Sequence, residues 1–86
     1  MRQGGLLDYG MFLQNIMIAA RAHGLSTCPQ AAFMKYHRVI ADQLRLEASE
    51  MFVVGMSLGF ADHSRIENRL VTERVEVGSF TTFYAD

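Results

Sequence analysis

The first third of the chain repeats its apolar residues at helical spacing. Intervals of three and four between apolar positions predict an amphipathic helix over residues 6–23. Its main stripe consists of Leu6, Tyr9, Leu13, Ile16, Met17 and Ala20. A second apolar set on another side of the helix consists of Leu7, Met11, Ile18 and Ala22. Since so small a chain can cover only one of these sides, the pattern predicts that a second subunit covers the other.

Shorter segments follow this helix. Gly24 is expected to end it in the left-handed conformation. Residues 25–28 predict a brief strand that ends before Pro29, because proline donates no ladder hydrogen bond. A second helix is predicted over residues 34–46, and its buried side is Phe33, Tyr36, Val39, Ile40 and Leu44. The apolar run "MFVVGMSLGF", residues 51–60, predicts a central strand covered on both faces.

Beyond Phe60 the composition becomes polar and loses any sustained period. This segment is too long for a loop inside a small domain, and it ends in Phe80, Phe83 and Tyr84. We expect these rings to dock against another subunit. The sequence therefore predicts an α+β fold in one domain, residues 1–86. Residues 1–60 form a core of two helices and one or two strands, and residues 61–86 form an extended arm.

Composition narrows the class of protein. The chain has 86 residues, of which 50% are hydrophobic and 20% charged, and its formal net charge is −1. Scattered basic residues at this charge argue against nucleic acid as a partner. A single cysteine cannot form an internal disulfide, and polar residues interrupt every apolar stretch that could span a membrane. These features predict a soluble cytoplasmic protein.

Side-chain chemistry is sparse. Cys28 has no neighbouring general base, so we interpret it as a buried small hydrophobic residue. His23, His37 and His63 lie in separate segments without the spacing of metal ligands. We therefore predict no catalytic side chain and no metal. Arg69 and Arg74 alternate with glutamates, which by itself is typical of a solvated charged surface.

Three separated runs resemble a known family in order and spacing. These are "LLDYGMFLQNIMIAARAHGLSTCPQAAF", "MFVVGMSLGFAD" and "NRLVTER". Together they resemble the C-terminal part of FMN-dependent nitroreductases, in the branch that acts on nitroaromatic acids. The family's N-terminal portion, in which an arginine-and-serine motif grips the flavin phosphate and ribityl chain, has no counterpart here. The chain is thus similar to less than half of a family member.

The resemblance carries several expectations. It implies a fragment of the nitroreductase fold, which assembles as a homodimer with FMN at the subunit interface. Pro29, Gln30, Ala31 and Ala32 would follow the edge of the isoalloxazine ring, and the Ala31 N–H would hydrogen bond flavin N5. Arg74 would contact the FMN phosphate, with Arg69 as a second candidate.

Two functions remain open at this stage. The resemblance implies an enzyme in which NAD(P)H reduces FMN and the flavin then reduces a nitroaromatic or quinone-like acceptor. The alternative is a truncated, catalytically inactive dimerisation or interaction module that has lost flavin binding. The absent phosphate-gripping segment favours the alternative for the isolated chain.

Overall fold

A computed structural model of the chain describes residues 3–85. It contains two α-helices, α1 (Gln3–Ala22) and α2 (His37–Gln43), and two β-strands, β1 (Ser26–Gln30) and β2 (Gly55–Gly59). Three short 3₁₀ helices, Ala31–Tyr36, Ile66–Arg69 and Val77–Ser79, complete the regular structure. The expected two helices and strands are therefore present in the first 60 residues.

Helix α1 has the two apolar sides that its sequence pattern predicts. On one side Tyr9, Leu13, Ile16 and Met17 are half-buried, and Ala20 is buried. On the opposite side the side chains remain more than half exposed: Leu7 68%, Met11 60% and Ile18 61%. Residues 3–85 cover only one side of α1. Cover by a second subunit stays a prediction.

A glycine ends α1 as expected. Gly24 has a φ of 74°, a left-handed conformation that costs glycine little. The Leu25 N–H donates to the carbonyl of Ala20 at 2.9 Å, and the Gly24 N–H donates to Arg21 at 3.0 Å. This pair of bonds defines a Schellman motif, which satisfies carbonyls at the end of the helix and turns the chain toward β1.

The two strands form an antiparallel sheet in which Ser26 pairs with Gly59 and Gln30 pairs with Gly55. The prediction that the ladder stops at Pro29 is wrong, because Pro29 pairs with Met56 inside β1. Proline is tolerated there since β1 has one unpaired edge. The predicted central strand is also wrong within residues 3–85. β2 begins only at Gly55, and its single partner is β1.

The second helix differs from its prediction at both ends. Helical structure begins at Ala31 as a 3₁₀ helix, becomes α-helical at His37 and ends at Gln43. The predicted buried side is mostly open: Tyr36 is 61%, Val39 68% and Leu44 60% exposed, and only Ile40 is half-buried. The helix starts earlier than predicted because the Phe33 ring lies directly against Gly55 of β2, and these two residues are far apart in the sequence. We call the 3₁₀ helix Ala31–Tyr36 the corner helix.

Residues 61–85 form the extended arm that was expected, with only two short 3₁₀ turns. Phe80, Phe83 and Tyr84 are 67%, 77% and 94% exposed, so they do not dock on the chain's own surface. The Cα radius of gyration is 17.4 Å, whereas a compact domain of this length would have about 12 Å. Docking of the rings on another subunit stays a prediction.

Candidate functional site

A sharp corner joins β1 to the corner helix. Gln30 has an extended backbone (φ −126°, ψ 97°), and its side chain does not cap the helix that follows. Ala31 and Ala32 are exposed. The first N–H groups of a 3₁₀ helix have no acceptor within the helix. The corner therefore presents backbone donors beside two small side chains, and a flat ligand could approach them closely.

Contacts across the sheet hold this corner. Gln30 pairs with Gly55, and the Ser57 hydroxyl donates to Gln30 Oε1 at 3.2 Å. One turn further, the Phe33 ring lies so close to Gly55 that a Cβ added there would be 2.6 Å from Phe33 Cδ2. The direction in which the chain leaves β1 is thus fixed by one hydrogen bond and one ring contact.

A second structured element, the Asp62 turn (residues 62–69), follows β2. Asp62 Oδ1 accepts hydrogen bonds from the Ser64 hydroxyl at 2.6 Å and from the Ser64 N–H at 3.0 Å. The Asp62 carbonyl accepts from Asn68 Nδ2 at 2.7 Å and from the Arg65 N–H at 3.2 Å. The Ser64 hydroxyl and N–H, aided by the nearby His63, lower the pKa of the Asp62 carboxyl.

The Asp62 turn lies near the opposite end of the sheet from the corner. Asp62 and Asn68 line an open depression of about 330 Å³ together with Ser26 and Thr27 from the start of β1. Gln30 and the corner are four residues further along that strand, a distance of roughly 13 Å at about 3.3 Å per residue. One molecule could contact both places only if it were elongated.

The two candidate arginines lie in the arm. Arg69 is the last residue of the 3₁₀ helix Ile66–Arg69, and its side chain makes no hydrogen bond or ion pair with any of residues 3–85. Arg74 is exposed, and its Nη1 donates to the carbonyls of Thr72 and Glu73 and to the Thr72 hydroxyl. Within residues 3–85, no hydrogen bond joins either arginine to Pro29, Gln30, Ala31 or Ala32.

The remaining candidate residues add little chemistry. Cys28 is exposed, so its interpretation as a buried hydrophobic residue is wrong; within residues 3–85, β1 pairs only with β2 and is therefore an edge strand. In the part of the chain that the structure describes, no three His, Cys, Asp or Glu residues are grouped as a metal site would require. Over the same residues, no helix is both long and apolar enough to span a bilayer.

Sequence reasoning missed the Asp62 turn. The signal was present, because an aspartate followed two positions later by serine is typical of a turn in which the carboxylate accepts the serine N–H. It was obscured by the lack of periodicity in the segment as a whole.

The comparisons with known proteins identify the family. The sequence model of the family described as "Nitroreductase family" matches residues 1–60. The chain is 51% identical over 75 residues to the chloronitrobenzene nitroreductase of Comamonas testosteroni, which covers 87% of this chain and 33% of that protein. It is 48% identical over 77 residues to a 4-nitrobenzoate reductase of Pseudomonas putida, covering 90% and 34% respectively. The chain therefore belongs to the nitroreductase family.

Solved structures show the same fold. The FMN- and NADPH-dependent nitroreductase NfnB from Sphigopyxis sp. strain HMH superimposes on 100% of this chain with a TM-score of 0.93 at 28% identity, which is 39% of that protein. The FMN-dependent nitroreductase NfnB from Mycobacterium smegmatis, solved in complex with NADPH, covers 91% of this chain with a TM-score of 0.83 at 31% identity. The prediction of a fragment of the nitroreductase fold is confirmed.

The length of the chain limits which properties of these relatives can be assigned to it. The chain spans about a third of the length of the curated relatives it matches. The family match ends at residue 60, so Arg69 and Arg74 lie outside it. Membership of the family and the fold are established for this chain, whereas its ligands and the roles of single residues are matters for proposal.

Proposed function

We propose that this chain supplies the C-terminal part of an FMN-dependent nitroreductase that uses NAD(P)H. The observation that carries the proposal is the combination of 51% identity to a chloronitrobenzene nitroreductase with a TM-score of 0.93 to an FMN- and NADPH-dependent nitroreductase. The substrate class would be nitroaromatic, as the names of these relatives suggest, or quinone-like. A cytoplasmic location and assembly as a homodimer belong to the same proposal.

The corner fits the edge of a flavin ring in two respects. Its first N–H groups have no acceptor in the helix, and exposed Ala31 and Ala32 leave the backbone open to close approach. Pro29 and Gln30 would lie along the ring edge, and the Ala31 N–H would donate to N5. The Ser57–Gln30 bond and the Phe33–Gly55 contact would keep these donors in place, because both join the corner to strand β2.

The arginines suit a phosphate. A guanidinium binds phosphate oxygens through two parallel hydrogen bonds, and Arg69 has all its donors available toward a ligand. Arg74 keeps Nε and Nη2 available, since its bonds to Thr72 and Glu73 are all made by Nη1. An elongated ligand with a ring at one end and a dianionic group at the other matches the separation of the corner from the Asp62 turn.

When bound, FMN would supply the chemistry by accepting a hydride from NAD(P)H and passing reducing equivalents to the nitro or quinone group. The residues of this chain would bind and orient the cofactor. None of their side chains is proposed to transfer a proton or attack the substrate. The chain's contribution is thus a set of backbone donors and one or two cations, with the exposed side of α1 available for subunit pairing.

A hybrid protein tests the proposal. Residues 1–86 would replace the matching C-terminal segment of the Comamonas testosteroni relative, whose 51% identity makes the junctions compatible. We expect the purified hybrid to be yellow, to quench FMN fluorescence stoichiometrically and to reduce a nitroaromatic acid with NADH or NADPH. A folded hybrid that binds no FMN would contradict the proposal.

A second candidate function is an interaction module without flavin chemistry. The exposed apolar side of α1 and the exposed aromatic residues of the arm favour it, because such surfaces mark protein contacts. The isolated chain distinguishes the two functions. Association without any FMN binding, combined with an inactive hybrid, would support the interaction module over the enzyme.

A further inference from the structure

The Asp62 turn is the most densely hydrogen-bonded part of residues 61–85, and the proposed function uses only its last residue, Arg69. Four hydrogen bonds converge on Asp62, two at Oδ1 and two at the backbone carbonyl. Asn68 closes the turn by reaching back six residues to the Asp62 carbonyl at 2.7 Å. Exposed loops seldom keep one conformation unless side chains satisfy the backbone in this way.

The turn fixes the start of the segment that carries Arg69. The Asn68 N–H donates to the Arg65 carbonyl at 3.1 Å, which forms the 3₁₀ helix Ile66–Arg69. Leu70 then has an extended backbone (φ −65°, ψ 121°), so the chain changes direction directly after Arg69. The orientation of the Arg69 Cα–Cβ bond therefore depends on bonds made by Asp62, Ser64 and Asn68.

The turn is also placed relative to the sheet. Asp62 and Asn68 share a depression with Ser26 and Thr27 of β1, the same strand whose other end forms the corner. The sheet therefore provides a common frame for the corner donors and for Arg69. A long arginine side chain loses considerable rotamer freedom when it binds, so a fixed backbone position reduces the cost of holding a ligand.

We propose that Asp62, Ser64 and Asn68 are positioning residues that orient Arg69 toward the phosphate of a flavin mononucleotide. This inference rests on the proposed function. None of the three side chains would touch the flavin. Their effect would be confined to the phosphate contact, which distinguishes them from residues that merely keep the chain folded.

The test compares FMN with riboflavin, which differs from it by lacking the phosphate. Both are titrated into the 86-residue chain at millimolar protein concentration, followed by chemical-shift changes at the corner and the arm. We expect the unaltered chain to prefer FMN, and Arg69→Ala to reduce that preference. Asn68→Ala and Ser64→Ala should each reduce the FMN-to-riboflavin affinity ratio by about two- to tenfold, the effect of one hydrogen bond.

Conservative and control variants make the result specific. Ser64→Thr keeps the hydroxyl and should restore the ratio. Ser79→Ala removes an equivalent exposed bond, from Ser79 Oγ to the Glu76 carbonyl at 2.7 Å, and should leave the ratio unchanged. Riboflavin affinity should be the same in all these variants, because the corner is intact in each. A parallel loss of affinity for both ligands in Asn68→Ala and Ser64→Ala would overturn the proposal in favour of a structural role.

The outcomes separate the inference from the proposed function. If the chain prefers FMN and Arg69→Ala reduces the preference, but Asn68→Ala retains it in full, the positioning role fails and the flavin site stands. If the unaltered chain binds FMN and riboflavin equally, or binds neither at millimolar concentration, both the phosphate role of Arg69 and the positioning role are overturned for this chain.

Discussion

The aromatic ring of Phe33 lies against the backbone of Gly55, 22 positions later in the chain. A Cβ added to Gly55 would be 2.6 Å from Phe33 Cδ2, closer than real Cβ atoms come to another heavy atom, and 3.0 Å from Cε2. Any larger residue at position 55 would therefore force the ring to move. The contact joins the corner helix to β2, and it determines where the chain turns after β1.

Gly55→Ala should destabilise the chain by about 1–3 kcal/mol, because the Phe33 ring must move out of its position. Chemical denaturation followed by circular dichroism measures the loss. Gly59→Ala is a matched control in the same strand, since a Cβ there meets no atom within 4 Å. The double variant Phe33→Leu/Gly55→Ala should recover part of the lost stability. If Gly55→Ala alone is as stable as the unaltered chain, the ring contact does not form.

Arg45 has a φ of 55°, a left-handed conformation that is unfavourable for a side chain with a Cβ. It ends α2 in a Schellman motif, in which the Leu46 N–H donates to Ala41 at 2.9 Å and the Arg45 N–H to Asp42 at 3.1 Å. Glycine suits this position, so Arg45→Gly should stabilise the chain by about 0.5–1 kcal/mol. Arg38→Gly, within α2, should instead destabilise it by about 1 kcal/mol. Thermal denaturation compares the stability of the two variants. An equal loss of stability in Arg45→Gly and Arg38→Gly would contradict the Schellman motif.

Local sequence signals predicted the first part of the fold well. Apolar spacing located α1, and Gly24 marked its end, because both depend on residues close together in the chain. The extent of β1 and the start of the corner helix could not be predicted in the same way. They depend on pairing with residues 55–59 and on the Phe33–Gly55 contact, which no local pattern encodes.

Burial was harder to predict than secondary structure. The pattern of residues 33–44 indicates a buried side, yet Tyr36, Val39 and Leu44 are exposed in this chain. A periodic apolar pattern shows that cover is needed without showing which polypeptide provides it. For the candidate site, the corner was located by resemblance, whereas the Asp62 turn carried a short local signal that periodicity analysis overlooks.

The exposed side of α1 should mediate association. Met11 and Ile18 are 60% and 61% exposed, so a charge there would leave the fold of the chain intact. Met11→Asp or Ile18→Asp should prevent assembly, since an unpaired carboxylate cannot be buried in an apolar interface without a cost of several kcal/mol. Sedimentation velocity at micromolar concentration measures the change. Ser49→Asp adds the same charge on an exposed turn and should have little effect; a stable monomer before substitution would contradict the prediction.

Asp62 should titrate below its ordinary pKa of 3.8, because the Ser64 hydroxyl and N–H stabilise its carboxylate. A folded-state pKa below the unfolded value contributes stability above pH 3.8, and this contribution is lost as the pH falls through the folded-state pKa. The Asp62 turn should become less ordered as the pH falls through the same range. Carboxyl NMR titration should show that Ser64→Ala raises the Asp62 pKa and Ser79→Ala does not. If Asp62 in the unaltered chain has its ordinary pKa, the hydrogen bonds from Ser64 to its carboxylate do not form in solution.

Arg74 gives the last prediction, which concerns FMN affinity. A hydrogen bond to a charged group contributes about 1.5–3 kcal/mol, and every 1.4 kcal/mol changes an affinity about tenfold. The isolated chain carries the corner and the arginines only, so we expect weak FMN binding and little nitroreductase activity from it. In the hybrid protein, Arg74→Ala should weaken FMN binding by about tenfold or more, while Arg74→Lys should recover part of it.

Fluorescence quenching of FMN provides the measurement for both proteins. Thr72→Val is the matched control for Arg74, because it removes the hydroxyl that Arg74 Nη1 contacts without altering the guanidinium. Its FMN affinity should equal or exceed that of the unaltered hybrid, since it releases Nη1 from one local partner. An unchanged affinity in Arg74→Ala would exclude Arg74 from the phosphate contact and leave Arg69 as the candidate. Submicromolar affinity of the isolated chain would show that the corner and arm suffice for a flavin site.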